Sequence, residues 1–375
     1  MFEGLDVPLA MSSVTLPEDC TTRRSMPAPI HKRTDDYVRK FDFRTLIYDA
    51  FRRGDEIVMV CPRLLNLWPV LRDGLRLNGQ RPNIKRHRRL RFEILRLSVK
   101  ALPNTPVALT VSVEGRTIPV SVGPDLSHLF KAKRCLLAMV KDTPTDWITD
   151  WVRWHATLHG TNALLLFDNG TTRFDMAETP ARLRAMPDLE QVVVVSAPFP
   201  YGGNAGGRFF APAKYLQAAM LNLAKERFLA TASSVLSVDV DELVQPIPGT
   251  TIHELTEKSR LGLVWMRGQW VYAETTSGPV PHSSHGLSVP DDPERIATKW
   301  CAVPSRALGR RSWDIHRPGG ILGRLALGEC RYWHFRSTTT GWKRAVNCVP
   351  KGAIPDQQLI EGLRTVFGPA THATS

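Results

Sequence analysis

Three acidic residues in four positions form a group that could do chemistry: Asp239 and Asp241, separated by one residue, and Glu242 directly after them. Carboxylates this close repel one another unless a cation or a basic partner lies among them. Hard divalent ions such as Mg²⁺ and Mn²⁺ take carboxylate oxygens and often keep phosphate oxygens of a ligand as further partners. The pattern is therefore typical of a divalent-metal site or of a solvated acidic turn, and its place in the fold decides between them.

The acidic group directly follows an apolar run, Val235–Val238, which predicts a buried strand. Further buried strands are predicted at Leu136–Val140, Ala163–Phe167 and Val192–Val195, and helices at Thr143–Leu158 and Ala213–Thr231. This alternation predicts an α/β fold with a mainly parallel, Rossmann-like sheet, in which ligands bind beyond the carboxyl ends of the strands. Asp168 ends another of these strands, so both acidic positions are expected at one edge, which favours the metal site.

The N-terminal part has a different pattern. Residues 37–130 predict a small β-rich unit, with a hairpin of Ala108–Val113 and Thr117–Val122 around Glu114-Gly115-Arg116. The proline-containing residues 1–36 predict an irregular leader. The expected division is thus leader 1–36, β-rich domain 37–130, α/β domain 131–350 and C-terminal tail 351–375.

The bulk composition is that of a folded globular protein, with 43% hydrophobic and 23% charged residues among 375. No stretch reaches the roughly 18–20 unbroken apolar residues of a membrane span. The N-terminus lacks a basic segment followed by an apolar run, so a cytoplasmic location is expected. The six cysteines form no C-x-x-C pair and are expected to be free thiols.

The net charge of +13 is concentrated near the N-terminus, since residues 1–134 hold 24 Lys/Arg against 14 Asp/Glu. The densest piece is Lys85–Arg91. Such a region can attract nucleic acid, an anionic membrane surface or an anionic polysaccharide, or it can be a solvated basic edge. No nucleic-acid motif accompanies it, so nucleic acid is not expected as a partner, whereas a peripheral contact with an anionic membrane stays open.

Five segments in order resemble motifs of the family-2-like and family-92-like (DUF23-type) glycosyltransferases of the GT-A type. They are Lys141–His155, similar to an Asn-Glu step and a Glu-Trp-x-x-x-His helix; Phe167–Thr172, similar to Tyr-Asp-Asn-Gly-Ser; Gln217–Asn222, similar to Gln-x-x-x-x-Asn; Val238–Leu243, similar to Asp-x-Asp-Glu-Phe; and Tyr332–Ser337, similar to a His-Tyr-Arg segment. The resemblance covers roughly residues 135–345. It implies a GT-A-type fold and transfer of a sugar from a UDP- or GDP-sugar donor to a saccharide or glycoconjugate acceptor.

The resemblance also implies roles for single residues. Asp239, Asp241 and His334 would hold Mn²⁺ or Mg²⁺. Substrate contacts would come from Asp168, Asn169, Gln217, Lys299, His316 and Arg336, where Arg336 could offset phosphate charge. Two departures stand out, because Lys141-Asp142 replaces the Asn-Glu step and Phe335 replaces a tyrosine.

The general base is less defined. An inverting enzyme needs a carboxylate near the acceptor hydroxyl. Glu242, Glu274 and Asp291 are the candidate catalytic carboxylates.

Two other functions stay open at this level. Aspartyl-phosphate phosphotransferases also use D-x-D, but after their first strand, whereas here the motif follows about the fourth. A non-catalytic polyanion-binding protein would use the basic N-terminal region, with salt-dependent binding that survives loss of the acids at 239–242.

Overall fold

The computed structural model describes residues 8–99, 106–205, 213–274, 279–290, 294, 296–316, 318, 328, 330–338 and 349–368. In chain order its strands are β1 (Leu9–Ala10), β2 (Val14–Thr15), β3 (Thr45–Ile47), β4 (Asp49–Arg53), β5 (Glu56–Pro62), β6 (Leu75–Leu77), β7 (Ile84–Arg88), β8 (Phe92–Ser98), β9 (Leu109–Val113), β10 (Arg116–Pro119), β11 (Arg134–Val140), β12 (Ala163–Asp168), β13 (Gln191–Ser196), β14 (Ser234–Ser237), β15 (Glu242–Val244), β16 (Leu263–Ala273), β17 (His285–Ser288), β18 (Lys299–Ala302), β19 (Cys330–Phe335) and β20 (Ile354–Pro355). The α-helices are α1 (Asp35–Arg39), α2 (Leu67–Gly74), α3 (Thr145–His159), α4 (Glu178–Arg184), α5 (Tyr215–Leu223), α6 (Ile252–Lys258) and α7 (Gln357–Phe367). Short 3₁₀ turns cover Ile30–Lys32, Ser127–Phe130 and His282–Ser284, and a π-helical turn covers Ala224–Phe228.

The chain divides into two compact units. Unit 1 consists of Met1–Leu9, Leu129–Val195 and Leu229–Ser375, and unit 2 of Ala10–His128 and Ser196–Phe228. Unit 2 therefore includes more than the predicted domain 37–130. Residues 10–36, expected as an irregular leader, place three apolar side chains in its core: Val14, Leu16 and Cys20.

Unit 2 is rich in β-strands, as the sequence predicts for residues 37–130, and these strands pair antiparallel. One sheet has the order β4-β5-β8-β7, and a smaller one has the order β10-β9-β6. The predicted hairpin is confirmed, with Arg116 opposite Val113 and only Glu114 and Gly115 between the strands. Both turn residues have positive φ, 48° and 75°, as a two-residue hairpin turn requires.

Unit 1 contains the large sheet. Its order is β13-β12-β11-β14-β18-β16-β17-β20, with β19 beside β16 and β15 beside β19. The pairs of β11 with β12 and β14 are parallel, whereas β18 joins β14 antiparallel and the strands beyond it form a mixed part of the sheet. The four buried strands predicted from apolar runs are present as β11 to β14, and α3 links β11 to β12. The predicted α/β fold, with parallel strands and helices between them, is therefore confirmed.

The core of unit 1 also holds neutral polar groups. His159 Nε2 lies 3.1 Å from the carbonyl oxygen of Val244. His253 lies between Ser234 Oγ, at 2.8 Å, and Thr161 Oγ1, at 3.0 Å. Burial lowers the pKa of His159 to about 4 and that of His253 well below its usual value. These imidazoles are therefore uncharged structural partners at neutral pH.

The cysteines agree with the expectation of free thiols. Among the described residues, Cys20, Cys61, Cys135, Cys301 and Cys330 are buried and not joined in disulfides. Burial raises the pKa of the Cys301 thiol to about 12, so this thiol is protonated and unreactive at neutral pH. Cys348 lies outside the described residues.

Candidate metal and donor site

The acidic group forms the turn between β14 and β15. The turn is closed twice, because the Glu242 amide donates to the Asp239 carbonyl at 3.0 Å and the Asp239 amide donates to Glu242 Oε2 at 2.7 Å. The side chain of Glu242 is 1% exposed. Glu242 is thus held inside its own turn and is not a solvated surface acid.

Lys299 provides the positive charge that this turn needs. It is the first residue of β18, whose next residue, Trp300, lies opposite Ser237. Its Nζ lies 2.6 Å from Asp239 Oδ2 and 2.8 Å from Glu242 Oε2, and its side chain is 3% exposed. Burial alone would lower the pKa of Lys299, but the two carboxylates hold it above its usual value. Lys299 is therefore charged and neutralises one side of the acidic turn.

The other side of the turn meets His334. Strands β15 and β19 are antiparallel, with Glu242 opposite His334. His334 Nε2 lies 3.2 Å from Asp241 Oδ2, and its Nδ1 lies 3.9 Å from Glu242 Oε1. One ligand atom from each of Asp241, Glu242 and His334 falls within 4.8 Å of the others. Burial raises the pKa of the Glu242 carboxyl, against the effect of Lys299, so a further cation near Glu242 would be favourable.

Trp270, which was not predicted, and Arg336, a predicted substrate contact, form the surroundings of His334. The ring of Trp270 is stacked on the imidazole at 4.1 Å, because β16 and β19 pair in parallel with Trp270 next to His334. The guanidinium of Arg336 lies 3.6 Å from the Trp270 ring centroid and also pairs with Glu294. Trp270 is not among the predicted site residues, and the strand register identifies it as a neighbour of His334.

Asp168 lies at the same edge of the sheet as the acidic turn. It ends β12 opposite Val140 of β11, and β11 pairs on its other side with β14, also in parallel. Strands β12 and β14 are therefore two strand spacings apart, roughly 10 Å, and both run towards this edge. Asp168 Oδ1 accepts hydrogen bonds from the hydroxyl and the amide of Thr171, at 2.5 and 3.1 Å, and so shapes the following turn.

The loops after β11 and β12 are tied together at this edge. The Asp142 carboxylate accepts from the amides of Thr172 and Arg173, at 2.8 and 3.0 Å, and the Asn169 amide donates to the Val140 carbonyl at 2.8 Å. Asp142 stands where the glycosyltransferase motif has a glutamate, and its carboxylate links the loop after β11 to the loop after β12.

The remaining predicted residues are dispersed. His316 lies near the start of β18, where its carbonyl accepts from the Thr298 hydroxyl at 2.8 Å. Glu274 directly follows β16 and is exposed. Gln217 belongs to unit 2, where it accepts a hydrogen bond from Tyr201 at 2.7 Å. Asp291 lies outside the described residues.

Comparisons with known proteins add the following. No family model matches this chain, and no curated protein does. A solved structure similar to it is the galactosyltransferase LgtC in complex with donor and acceptor sugar analogs, at 17% identity over 48% of this chain and 60% of that one, with a TM-score of 0.26. An active-site mutant of LgtC is similar at 12% identity over 58% of this chain and 85% of that one, with a TM-score of 0.29. The bifunctional glycosyltransferase WbbM in its apo form is similar at 12% identity over 46% of this chain and 27% of that one, with a TM-score of 0.24. At these TM-scores the similarity does not establish a shared activity, and the site itself has to indicate the function.

Proposed function

We propose that this protein is a metal-dependent glycosyltransferase of the GT-A type. It moves a hexosyl group from a UDP- or GDP-sugar to a hydroxyl of a saccharide or glycoconjugate. The observation that carries the proposal is the meeting of Asp241, Glu242 and His334 at the carboxyl edge of the parallel strands. That edge is where α/β sheets bind their ligands. The motif resemblance around Asp168 and Asp239–Glu242 independently favours a nucleotide-sugar donor.

The residues present fit a divalent ion. Two carboxylates and one imidazole suit Mn²⁺ well, whereas Mg²⁺ prefers a shell of oxygens alone. Nδ1 of His334 is buried and has no hydrogen-bond partner among the described residues, as expected for a nitrogen kept for a ligand. A bound ion would offset the charge of the nucleoside diphosphate that leaves the sugar.

The role of Asp239 differs from the sequence-based expectation in this proposal. Lys299 contacts both Asp239 and Glu242, but the ligand atoms within 4.8 Å of one another belong to Asp241, Glu242 and His334. This grouping favours Glu242 over Asp239 as the companion of Asp241 and His334. Lys299, expected to contact substrate, instead neutralises and positions the carboxylates of the turn.

The donor contacts follow from the same edge of the sheet. We assign Asp168 and Asn169 to the base and ribose of the nucleotide, and His316 and Arg336 to its phosphates. Arg336 would exchange Glu294 for a phosphate, with Trp270 keeping its guanidinium in place. Gln217 stays a predicted substrate contact on sequence grounds.

The catalytic carboxylate also follows from burial and contacts. A general base must reach the acceptor hydroxyl directly or through one water. Glu242 is enclosed by its own turn and Lys299, so it suits a ligand and positioning role better than that of a base. The exposed Glu274 is the candidate that the described residues offer, and Asp291 stays a candidate from sequence.

A donor panel tests this function. The wild type is incubated with Mn²⁺ and a set of UDP-, GDP- and CDP-sugars, and release of the nucleotide is measured. We expect turnover of at least one donor, lost on addition of EDTA and in Asp241→Asn. Asp146→Asn is the control, since Asp146 is an exposed acid of α3 paired with Arg182. Turnover that is unchanged in Asp241→Asn would contradict the proposed site.

A further inference from the structure

Two exposed apolar side chains distinguish one region of unit 2. Among the described residues, Ile30 and Leu90 are the most exposed large hydrophobic residues, at 80% and 57%. Leaving such side chains in water has a cost, and their presence at one place often marks an interaction surface. Both are flanked by basic residues in the sequence, Ile30 by His31-Lys32-Arg33 and Leu90 by Arg88, Arg89 and Arg91.

Leu90 is held at the tip of a hairpin. Strands β7 and β8 pair up to Arg88 opposite Glu93, and the Arg89 amide then donates to the Phe92 carbonyl at 2.9 Å. Only Leu90 and Arg91 remain for the loop. Strand β7 is the edge of its sheet, and its exposed side chains are Lys85, His87 and Arg88, followed by exposed Arg89.

Ile30 is held at the tip of a short 3₁₀ turn. Nε of Arg33 donates to the Ala28 carbonyl at 2.9 Å, so a hydrogen bond joins the segments before and after this turn. Pro27 and Tyr37, on either side of the turn, line one small cavity together with Arg91 of the hairpin loop. The segment that carries Ile30 and the loop that carries Leu90 therefore border the same cavity of unit 2.

We propose that this surface, made of Ile30, Lys32, Arg88, Arg89 and Leu90, binds an anionic lipid bilayer. The basic side chains would approach the lipid phosphates, and the two apolar tips would enter the interface between headgroups and acyl chains. Stable binding to a membrane surface takes two such signals, an apolar one and an electrostatic one. A nucleic acid or an acidic polysaccharide would use the charges alone and would leave the exposed apolar tips unexplained. This inference does not rest on the proposed enzymatic activity.

Co-sedimentation of the full chain with vesicles tests the inference. The wild type is mixed with phosphatidylcholine vesicles with or without phosphatidylglycerol, at low and high salt. We expect binding only with the anionic lipid, weakened by salt. Arg88→Ser/Arg89→Ser should lower the affinity about 30-fold, since each basic residue near an anionic bilayer contributes roughly fivefold. Leu90→Asp and Ile30→Asp should each lower it about tenfold or more, because each removes an apolar side chain that would be buried in the bilayer interface.

Matched controls separate the surface from general charge effects. Arg310→Ser/Arg311→Ser removes an exposed arginine pair of unit 1, and Ile354→Asp changes an apolar side chain of similar exposure, 50%. Both should bind vesicles as the wild type does. The inference is overturned if the wild type does not bind anionic vesicles, or if the control arginine pair matters as much as Arg88 and Arg89. It is also overturned if Leu90→Asp and Ile30→Asp bind normally, which would indicate a polyanion partner instead.

Discussion

Replacing Lys299 with methionine tests how the acidic turn is held together. The substitution keeps most of the side-chain volume and removes the ammonium that lies 2.6 Å from Asp239 and 2.8 Å from Glu242. Asp239 is partly exposed and can be hydrated, whereas the Glu242 side chain is 1% exposed and cannot. Glu242 then has to stay as an uncompensated buried charge or take up a proton.

The burial of Glu242 sets how much free energy of unfolding Lys299→Met loses. Breaking a buried ion pair by removing one partner typically costs about 3–5 kcal/mol. For a unit of about 200 residues this corresponds to a fall in melting temperature of roughly 10 °C. Removing both charges lowers the free energy of unfolding far less than removing one. Lys299→Met/Glu242→Gln should therefore recover most of the stability that Lys299→Met loses. Mn²⁺ should stabilise Lys299→Met more than the wild type, because it replaces part of the missing positive charge.

Thermal and urea unfolding of the wild type, both single variants and the double variant measure these effects. Lys133→Met is the control, since its partner Glu190 is 56% exposed and such a pair contributes about 1 kcal/mol or less. A loss in free energy of unfolding that is no larger in Lys299→Met than in Lys133→Met would contradict the buried ion pair. So would a loss in the double variant that equals the sum of the losses in the two single variants.

Two further predictions concern the neighbourhood of His334 and the histidines of the core. Trp270→Leu removes the ring stacked on His334 and should weaken Mn²⁺ binding, measured by calorimetry, about tenfold. Trp270→Phe should retain most of the affinity, and equal loss in both variants would contradict a stacking role. Because the pKa of His159 lies at about 4 in the folded protein, below the usual 6.5, the unfolded chain binds the proton more readily. The contribution of His159 to stability should therefore be fully present above pH 6.5 and should fall by about 3 kcal/mol as the pH drops towards 4. A flat melting temperature over this range would contradict the burial of neutral histidine, and His159→Gln should show a shallower slope than the wild type.

The parallel half of the sheet could be predicted because its strands are short apolar runs buried on both faces. Leu136–Val140 and Ala163–Phe167 correspond closely to β11 and β12. Strands β15, of three residues, and β18, of four, were not predicted, for a physical reason. Both are too short to show a period and form only through long-range pairing.

The sequence predicted several residues of the candidate site, but it did not predict which of their side chains contact one another. The motif order indicated Asp241 and His334, and the strand-end rule indicated Asp168. The contact of Lys299 with Asp239 depends on the register that sets Trp300 opposite Ser237, which no local pattern in the sequence encodes. The proximity of Trp270 to His334 likewise depends on the parallel pairing of β16 and β19.

Binding of a nucleoside diphosphate to the metal-loaded protein shows most directly whether the acidic turn forms a metal and donor site. UDP and GDP are titrated into the wild type with Mn²⁺ and with EDTA, and into Asp241→Ala and Asp146→Asn with Mn²⁺. We expect one nucleotide to bind the wild type and Asp146→Asn only with Mn²⁺, and to bind Asp241→Ala at least tenfold more weakly. Nucleotide binding of equal strength with EDTA or in Asp241→Ala, or no binding of either nucleotide to the wild type, would contradict it.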